Sequence, residues 1–520
     1  EVPAMAAFAR ALAAEFEQRY PAIDIYVTGG VIGDAAFAEA GRRDILTLVP
    51  MMVALAAITL LLGLRSLYGT LATACVIAVS VVTTMGLAGW IGVVLNPATA
   101  SAPIVVMVLS LATCVHIVSS TARELAHDPD RSRAVAAALR ENAFPVFVNN
   151  LTTVVGFLAL GFSISPPLQE LGNIISAGTL VALVYSFTLL PAVLVLLPLR
   201  PDPEGTVTVT RRALRRLAEF VLARQGVILM ASGIVLVVLG LGMTRLTFDD
   251  DFIRYFDESY RFRTDTDFMQ NRLTGLHVLQ YSIPSGEEQG IMRPDYLRQV
   301  DDFAEWFRQQ PKVAHVSTVT EMFKRLNMNM NGDDPAYYRI PESRELAAQY
   351  LLFYELSLPF GQDLNQRIDI ARSAARVTVF LANVSSDEIR ELGARGEAWL
   401  RAHAPDRAAP ATGLSLMYAY VSERNVGGML LGTALGLVVI SAMLIAALRS
   451  VSVGLLSLIP NFFPAFMAFG LWGYLKGEVN LAVSVVAITT FGIVVDDTVH
   501  ILSYYLHARR RLGLDQRAAI

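Results

Sequence analysis

The sequence predicts an α-helical membrane bundle made of two pseudo-symmetric parallel repeats, joined to an α+β domain of ferredoxin-like βαβ type that lies in water. Three observations carry this: apolar blocks long enough to cross a bilayer, a self-match at a fixed shift of 384 positions, and a polar stretch at 246–427 with mixed strand and helix patterning.

Hydrophobic residues make up 54% of the 520 and charged residues only 17%, against about 45–50% and about 25% in a soluble domain. The excess lies in nine blocks, at 44–63, 67–91, 98–121, 144–163, 171–199, 226–245, 428–448, 452–475 and 481–506. Roughly 20 apolar residues are enough for one spanning helix. The net charge of −4 decides little because the charges are segregated, and there is no basic tract of the kind that binds nucleic acid. Cys75 and Cys114 both fall in apolar blocks, so the sequence offers neither a disulfide framework for the polar stretch nor a zinc pattern.

Basic residues near the helix ends set the orientation. Arg123, Arg131, Arg133 and Arg140 cluster in one loop, six arginines from Arg200 to Arg224 in another, and Arg509 to Arg511 follow the ninth block. Threading nine spans places all three clusters on one side, with Arg65 and Arg449, and that side is expected to be the cytoplasm. The opposite loops at 92–98 and 163–169 carry no basic residue, and Lys476 is the exception among the short loops on that side. Segments 1–43 and 246–427 are therefore expected to be extracytoplasmic, in a chain resident in the inner (cytoplasmic) membrane.

Within 246–427, Leu276–Ile283 and Ala375–Leu381 alternate as strands do, and Leu297, Val300, Phe303 and Phe307 mark the apolar face of a helix. A further helix is expected over Ser386–His403, capped by Ser385 or Ser386. The Asn327–Asp334 run reads as a polar loop rather than a soft-metal site built on Met328 and Met330.

The self-match is the most specific feature. Shifted by 384, residues 28–120 overlay 412–504 without a gap: Thr28-Gly29 on Thr412-Gly413, Leu64-Arg65-Ser66 on Leu448-Arg449-Ser450, Gly86 and Gly89 on Gly470 and Gly473, Asn96 on Asn480, and His116 on His500. The four glycines read as close-packing positions. Carried past the ends, the same shift predicts about 64 further residues after Ile520, and an upstream helix and domain before Glu1, so the chain reads as a fragment.

The ninth block contains Asp496 and Asp497, with His500 one turn on. A carboxylate at the centre of a spanning helix costs roughly 2.5–3.5 kcal/mol, so such acids need a partner, water or a task. The i,i+4 and i,i+3 spacings put both acids on one face with the histidine, an arrangement suited to reversible protonation near neutral pH. In the first half the matching positions are Ala112 and Thr113, with His116 retained. Asp496, Asp497, His500, His116 and Thr113 are thus the candidate proton relay, set against the plainer reading of a buried polar cluster that fixes helix register. Asn149, Asn150, Thr152 and Thr153 read as packing polars.

With GIVVDDTVHIL at 492–502, the duplicated helix block, a one-plus-five helix order and a βαβ outer domain, the chain resembles the resistance-nodulation-division superfamily, specifically its MMPL-type exporters. The resemblance implies porter-type outer domains and intramembrane aspartates that carry protons inward while a hydrophobic, often lipid-like, substrate leaves. Its second-half acid maps to Asp496 or Asp497, and its first-half acid to the Ala112–Thr113 pair, where it is missing. The resulting order is an outer-domain piece (1–43), five helices (44–199), a cytoplasmic linker (200–225), one helix (226–245), the outer α+β domain (246–427), three helices (428–506) and a cytoplasmic segment (507–520). The expected function is proton-driven export, with the proton as coupling ion and no cofactor. Partners would be the substrate, membrane lipids and, in an oligomer, further copies of the chain. A lipid or sterol sensor on the same scaffold and a Sec-type protein-export accessory are the alternatives. An enzyme is not expected, since the polar stretch shows no nucleophile, metal or phosphate-loop motif.

Overall fold

A computed structural model describes the chain apart from residues 97, 202–207, 249–251, 360, 383, 481–482, 484, 487–493, 496–497, 499–500, 503–504, 506–508 and 510–520. It divides into two compact units: Glu1–Ala36 with Phe248–Glu423, and Phe37–Thr247 with Arg424–Ile520.

The helices, in chain order, are α1 Val2–Arg19, α2 Gly30–Leu64, α3 Leu67–Trp90, α4 Ala102–Glu124, α5 Arg131–Leu158, α6 Pro166–Phe187, α7 Leu189–Leu196, α8 Thr208–Ala223 and α9 Gln225–Met243. An α+β unit continues with α10 Arg261–Arg272, β1 His277–Pro284, α11 Pro294–Arg308, β2 Val313–Ser317, α12 Val319–Met330, α13 Arg344–Ser357, β3 Ala374–Leu381 and α14 Ser386–His403. Then come α15 Leu414–Leu448, α16 Val451–Leu456 and α17 Leu458–Leu475.

Eight helical segments among the described residues are long and apolar enough to cross a membrane, matching the first eight apolar blocks. These are the spans of a multi-pass membrane protein. How much of each span is buried by protein sorts them. The apolar windows of α2 and α9 are only 6% buried, whereas that of α5 is 67% buried. Among the described residues little protein covers the first two, whereas α5 is central. Its interior polar residues follow from that position. Asn142, Asn149, Asn150, Thr152 and Thr153 are all buried, and in hydrocarbon such groups must find partners inside the bundle. Asn142 bonds back to the Ala138 carbonyl at 2.8 Å.

The glycine reading needs correcting at two of its four positions. At Gly470 and Gly473 an added Cβ would land on the Leu239 and Gly242 carbonyls, so α17 and α9 approach backbone to backbone. At Gly86 and Gly89 a Cβ would meet nothing. The α3 face that carries them is open among the described residues. In the first half, close approach is instead supplied by Gly172 against the Phe157 carbonyl and Gly178 against Val106 and Thr84.

In the α+β unit, β1 and β2 both pair antiparallel with β3, which lies between them. The β1–α11–β2 segment is therefore a split βαβ. Leu279, Tyr281 and Ile283 of β1 alternate inward against Val377 and Val379 of β3, and the predicted α11 face of Leu297, Val300, Phe303 and Phe307 covers them. Gly396 of α14 must be a glycine, because a Cβ would press into the Tyr281 hydroxyl and the Phe307 ring. Helix α14 opens with a reciprocal capping box between Ser385 and Glu388. The expected polar loop at Asn327–Asp334 is corrected in its first half, since α12 runs to Met330. Val319, Met322 and Phe323 anchor that helix in the core. The Asn327 amide then caps two carbonyls, Tyr337 O and Arg339 O, at 3.0 and 3.1 Å.

Candidate functional site

The described part of the relay lies on α4 and α5. Thr113 is 3% exposed. Its hydroxyl lies 3.0 Å from the Leu109 carbonyl and accepts from the Asn150 amide at 3.2 Å. Asn150 donates also to Val146 O at 2.8 Å, and is itself buried. The structure thus joins Thr113 to a residue the sequence set aside as packing. The partner lies 37 positions away on another helix, beyond the reach of any local pattern. His116, one turn along α4, is half-buried. Among the described residues, no group bonds the buried side-chain oxygen of Asn149.

Asp496, Asp497 and His500 lie outside the described residues. Val495 and Thr498, which flank the aspartate pair in sequence, are described. Val495 is 1% exposed and packs in a cluster with Val148 of α5 and Ile440 and Leu444 of α15. Thr498 is 8% exposed and donates to the buried Asn461 carboxamide oxygen at 2.6 Å. Earlier in the same block, Val485 packs against a core that includes Ala102 and Leu109 of α4. The two sets of helices are also tied through Asn425, a fully buried residue near the start of α15. Its oxygen accepts from the Ser163 hydroxyl and the Ile164 and Ser165 N–H groups at 2.7, 3.1 and 3.1 Å. The sequence reading gave no role to Asn461 or Asn425. Asn461 stands alone in an apolar block, while Asn425 lies just ahead of one beside Glu423 and Arg424, and neither pattern names a partner.

The α+β unit holds a cavity of about 330 Å³. Its walls are mainly apolar, with Ile253, Phe262, Leu276, Ile389, Leu414 and Tyr418 among them. Polar groups converge at one part of the lining, where the Thr28 and Thr266 hydroxyls bond each other at 2.6 Å. Asp265, next to Thr266, is buried, and its carboxylate accepts from the Val27 N–H at 3.1 Å. A small set of placed polar groups in an apolar cleft is the usual build of a small-molecule site, and this volume is at the lower end of the common range. Close by in sequence, hydrogen bonds from the Lys312 ammonium and the Ser385 N–H hold the Glu388 carboxyl below the usual carboxylate range.

A helical membrane bundle with polar pairs buried between its helices and a separate α+β unit defines a multi-pass membrane protein consistent with the transporter type. Residues 3–228 match the MMPL family, so the resemblance drawn from the sequence is borne out over that stretch. Among curated relatives, the chain is 30% identical over 199 residues to the Streptomyces coelicolor membrane protein SCO5905, covering 36% of this chain and 22% of that protein. It is 28% identical over 226 residues to ActII-3, a membrane protein of the same organism, covering 41% and 32%. It is 29% identical over 120 residues to the membrane protein MJ1562 of Methanocaldococcus jannaschii, covering 23% and 31%. The matches therefore span between about a fifth and a third of the length of each relative.

Proposed function

We propose that this chain belongs to a proton-driven exporter of hydrophobic or amphiphilic, lipid-like molecules, resident in the cytoplasmic membrane with its α+β unit, a ferredoxin-like porter domain, on the outer side. The observation that carries the reading is the burial of Val495 and Thr498 within the bundle, on either side in sequence of two carboxylates. A carboxylate pair in an apolar spanning block is costly when ionised. Asp496 and Asp497 are the proton carriers, His500 tunes them, and His116 answers from the first half. Thr113, held by Asn150, stands where the first half has lost its acid, so a single site couples. One proton falling through 100 mV releases about 2.3 kcal/mol, and a tenfold gradient requires about 1.4 kcal/mol. One site is therefore enough. The outer cavity, apolar with a polar corner, suits part of an amphiphile.

The test is substrate efflux from proteoliposomes under an imposed pH gradient, using the chain and its Asp496→Asn/Asp497→Asn variant. Transport should be abolished while yield and thermal stability are kept. Undiminished transport in the variant removes the mechanism. The neutral Thr113–Asn150 pair in place of an acid also suits a lipid sensor, which would bind lipid in both variants without any dependence on the gradient.

A further inference from the structure

The cavity of the α+β unit lies where two helices of 35 residues begin. The 384-residue shift lays Thr28-Gly29 on Thr412-Gly413, and these pairs stand immediately before α2 and α15. Both glycines hold φ values that a side chain rarely adopts, 112° and 124°. Ahead of each glycine the chain is fastened. Thr412 exchanges two backbone hydrogen bonds with Gln280 of β1, both at 2.8 Å, while the Val27 N–H and the Thr28 hydroxyl bond Asp265 and Thr266 of α10. After each glycine the first helical turn is cavity wall, through Gly30 of α2 and through Leu414, Ser415 and Tyr418 of α15. All of these residues belong to one compact unit. One void is therefore shared by the starts of two repeat-related helices.

The lining selects by charge. Among the described residues it includes no Asp, Glu, Lys or Arg, so an ionised headgroup would lose its water with no counter-ion to replace it. Asp265, the neighbour of Thr266, offers none to a cation. Its carboxylate is already met by the Val27 N–H and, at 3.6 Å, by the Arg261 guanidinium. The same buried carboxylate disfavours an anion. An uncharged headgroup fares better. The Thr28 and Thr266 hydroxyls share one hydrogen between them, which leaves one O–H to donate and lone pairs to accept. At the small end of the range for ligand sites, the volume suits one chain rather than a two-chain phospholipid.

We infer that this cavity binds an uncharged single-chain amphiphile, with its hydroxyl or carbonyl on the Thr28–Thr266 pair, and that occupancy sets the spacing between the starts of α2 and α15. The inference rests on the proposed handling of amphiphiles, and gives that cargo a charge class and a place where it is sensed.

The experiment uses the whole chain in nanodiscs, with Cys75, the exposed native thiol, replaced by Ala, while Cys114 is buried. A maleimide is reacted with Leu276→Cys in the cavity wall and with Asp302→Cys on the exposed side of α11. Glycerol monolaurate, at about ten times its half-saturating concentration, should slow the reaction at 276 roughly tenfold. Laurate and dodecyltrimethylammonium at the same concentration should each slow it less than about twofold. None of the three should affect 302. Thr266→Val should weaken monolaurate binding roughly fivefold, the worth of one hydrogen bond, and Thr266→Ser should restore it. Nitroxides at Val31→Cys and Met417→Cys, both exposed positions, report the spacing of the two helix starts, and saturating monolaurate should shift and narrow their distance distribution. Absence of protection by monolaurate, or equal protection at 276 and 302, overturns the site. Equal protection by all three probes overturns the charge class. Protection at 276 with an unmoved distance distribution overturns the link to the helix starts. None of these readouts needs a proton gradient, so they stand or fall apart from transport in the Asp496→Asn/Asp497→Asn variant.

Discussion

Thr113 occupies the position where the second half has Asp497, and its hydroxyl is already in use. It lies within hydrogen-bond distance of the Leu109 carbonyl and accepts from Asn150. A hydroxyl so placed is poorly suited to pass a proton, and well suited to pin α4 against α5. Replacing Thr113 with Val keeps the shape and removes the bond. Hydrogen bonds between helices in membranes average about 0.6 kcal/mol and reach about 1.7. Thr113→Val should therefore cost about 1 kcal/mol in unfolding of the detergent-solubilised chain and leave the pH profile of transport in place. A displaced pH profile would make Thr113 a member of the relay instead. The sequence revealed that something polar belonged at this point, because the 384-residue shift aligned it with an acid. It could not reveal Asn150 as the partner, since helix-to-helix pairing is fixed by packing and leaves no periodic trace. The aspartates stand out for the opposite reason: two acids in an apolar block are conspicuous wherever the chain takes them.

At the scale of helices, composition and period were enough to find the spans, the α11 face, both long strands and the Ser385 cap, because each is a local pattern. Contacts between helices were less legible. Gly86 and Gly470 look equivalent in sequence, yet only Gly470 meets another helix among the described residues. A glycine shows that a face is thin; it does not show what comes to that face. The two sites should accordingly respond with opposite sign. Gly86→Ala adds a methyl group into open space and removes the entropic cost of a helical glycine, a gain of roughly 0.5–1 kcal/mol. Gly470→Ala drives its Cβ into the Leu239 carbonyl and pushes α17 off α9, a loss of roughly 1–3 kcal/mol. Unfolding of each single variant in detergent measures both, and a loss at Gly86 would mean that something packs there after all. The polar loop expected at Asn327 failed for a related reason. Asn and Met at alternating positions look like a turn, but Phe323 and Met322 just upstream had already committed the chain to a helix, and Asn327 found carbonyls to cap.

At the scale of the whole chain, local geometry recurs at the spacing of the self-match. Arg65 and Arg449 sit at φ 46° and 48°, and Gly29 and Gly413 at 112° and 124°. The Ser66 hydroxyl accepts from the Gly69 N–H at 3.1 Å, and the Ser450 hydroxyl from the Val453 N–H at 3.4 Å. The Asn96 side-chain oxygen accepts from the Thr99 N–H at 3.0 Å, and that of Asn480 from the Val483 N–H at 2.9 Å. Helices α2 and α15 are both 35 residues long. Sequence identity among apolar residues arises cheaply, but a left-handed arginine followed by a capping serine is a rare conformation. If the halves descend from one unit, these turns solve the same problem, ending one spanning helix and starting the next. Glycine takes the left-handed conformation without the Cβ penalty an arginine bears. Some of that relief is offset by the greater freedom glycine gives the unfolded chain. Arg65→Gly and Arg449→Gly should therefore each shift unfolding by no more than about 1 kcal/mol, with the same sign and similar size. Both arginines are exposed, so neither substitution opens a cavity. Denaturation of each single variant in the same detergent provides the comparison. Opposite signs at the two turns would show that the likeness is confined to sequence and does not extend to the energetics of the fold.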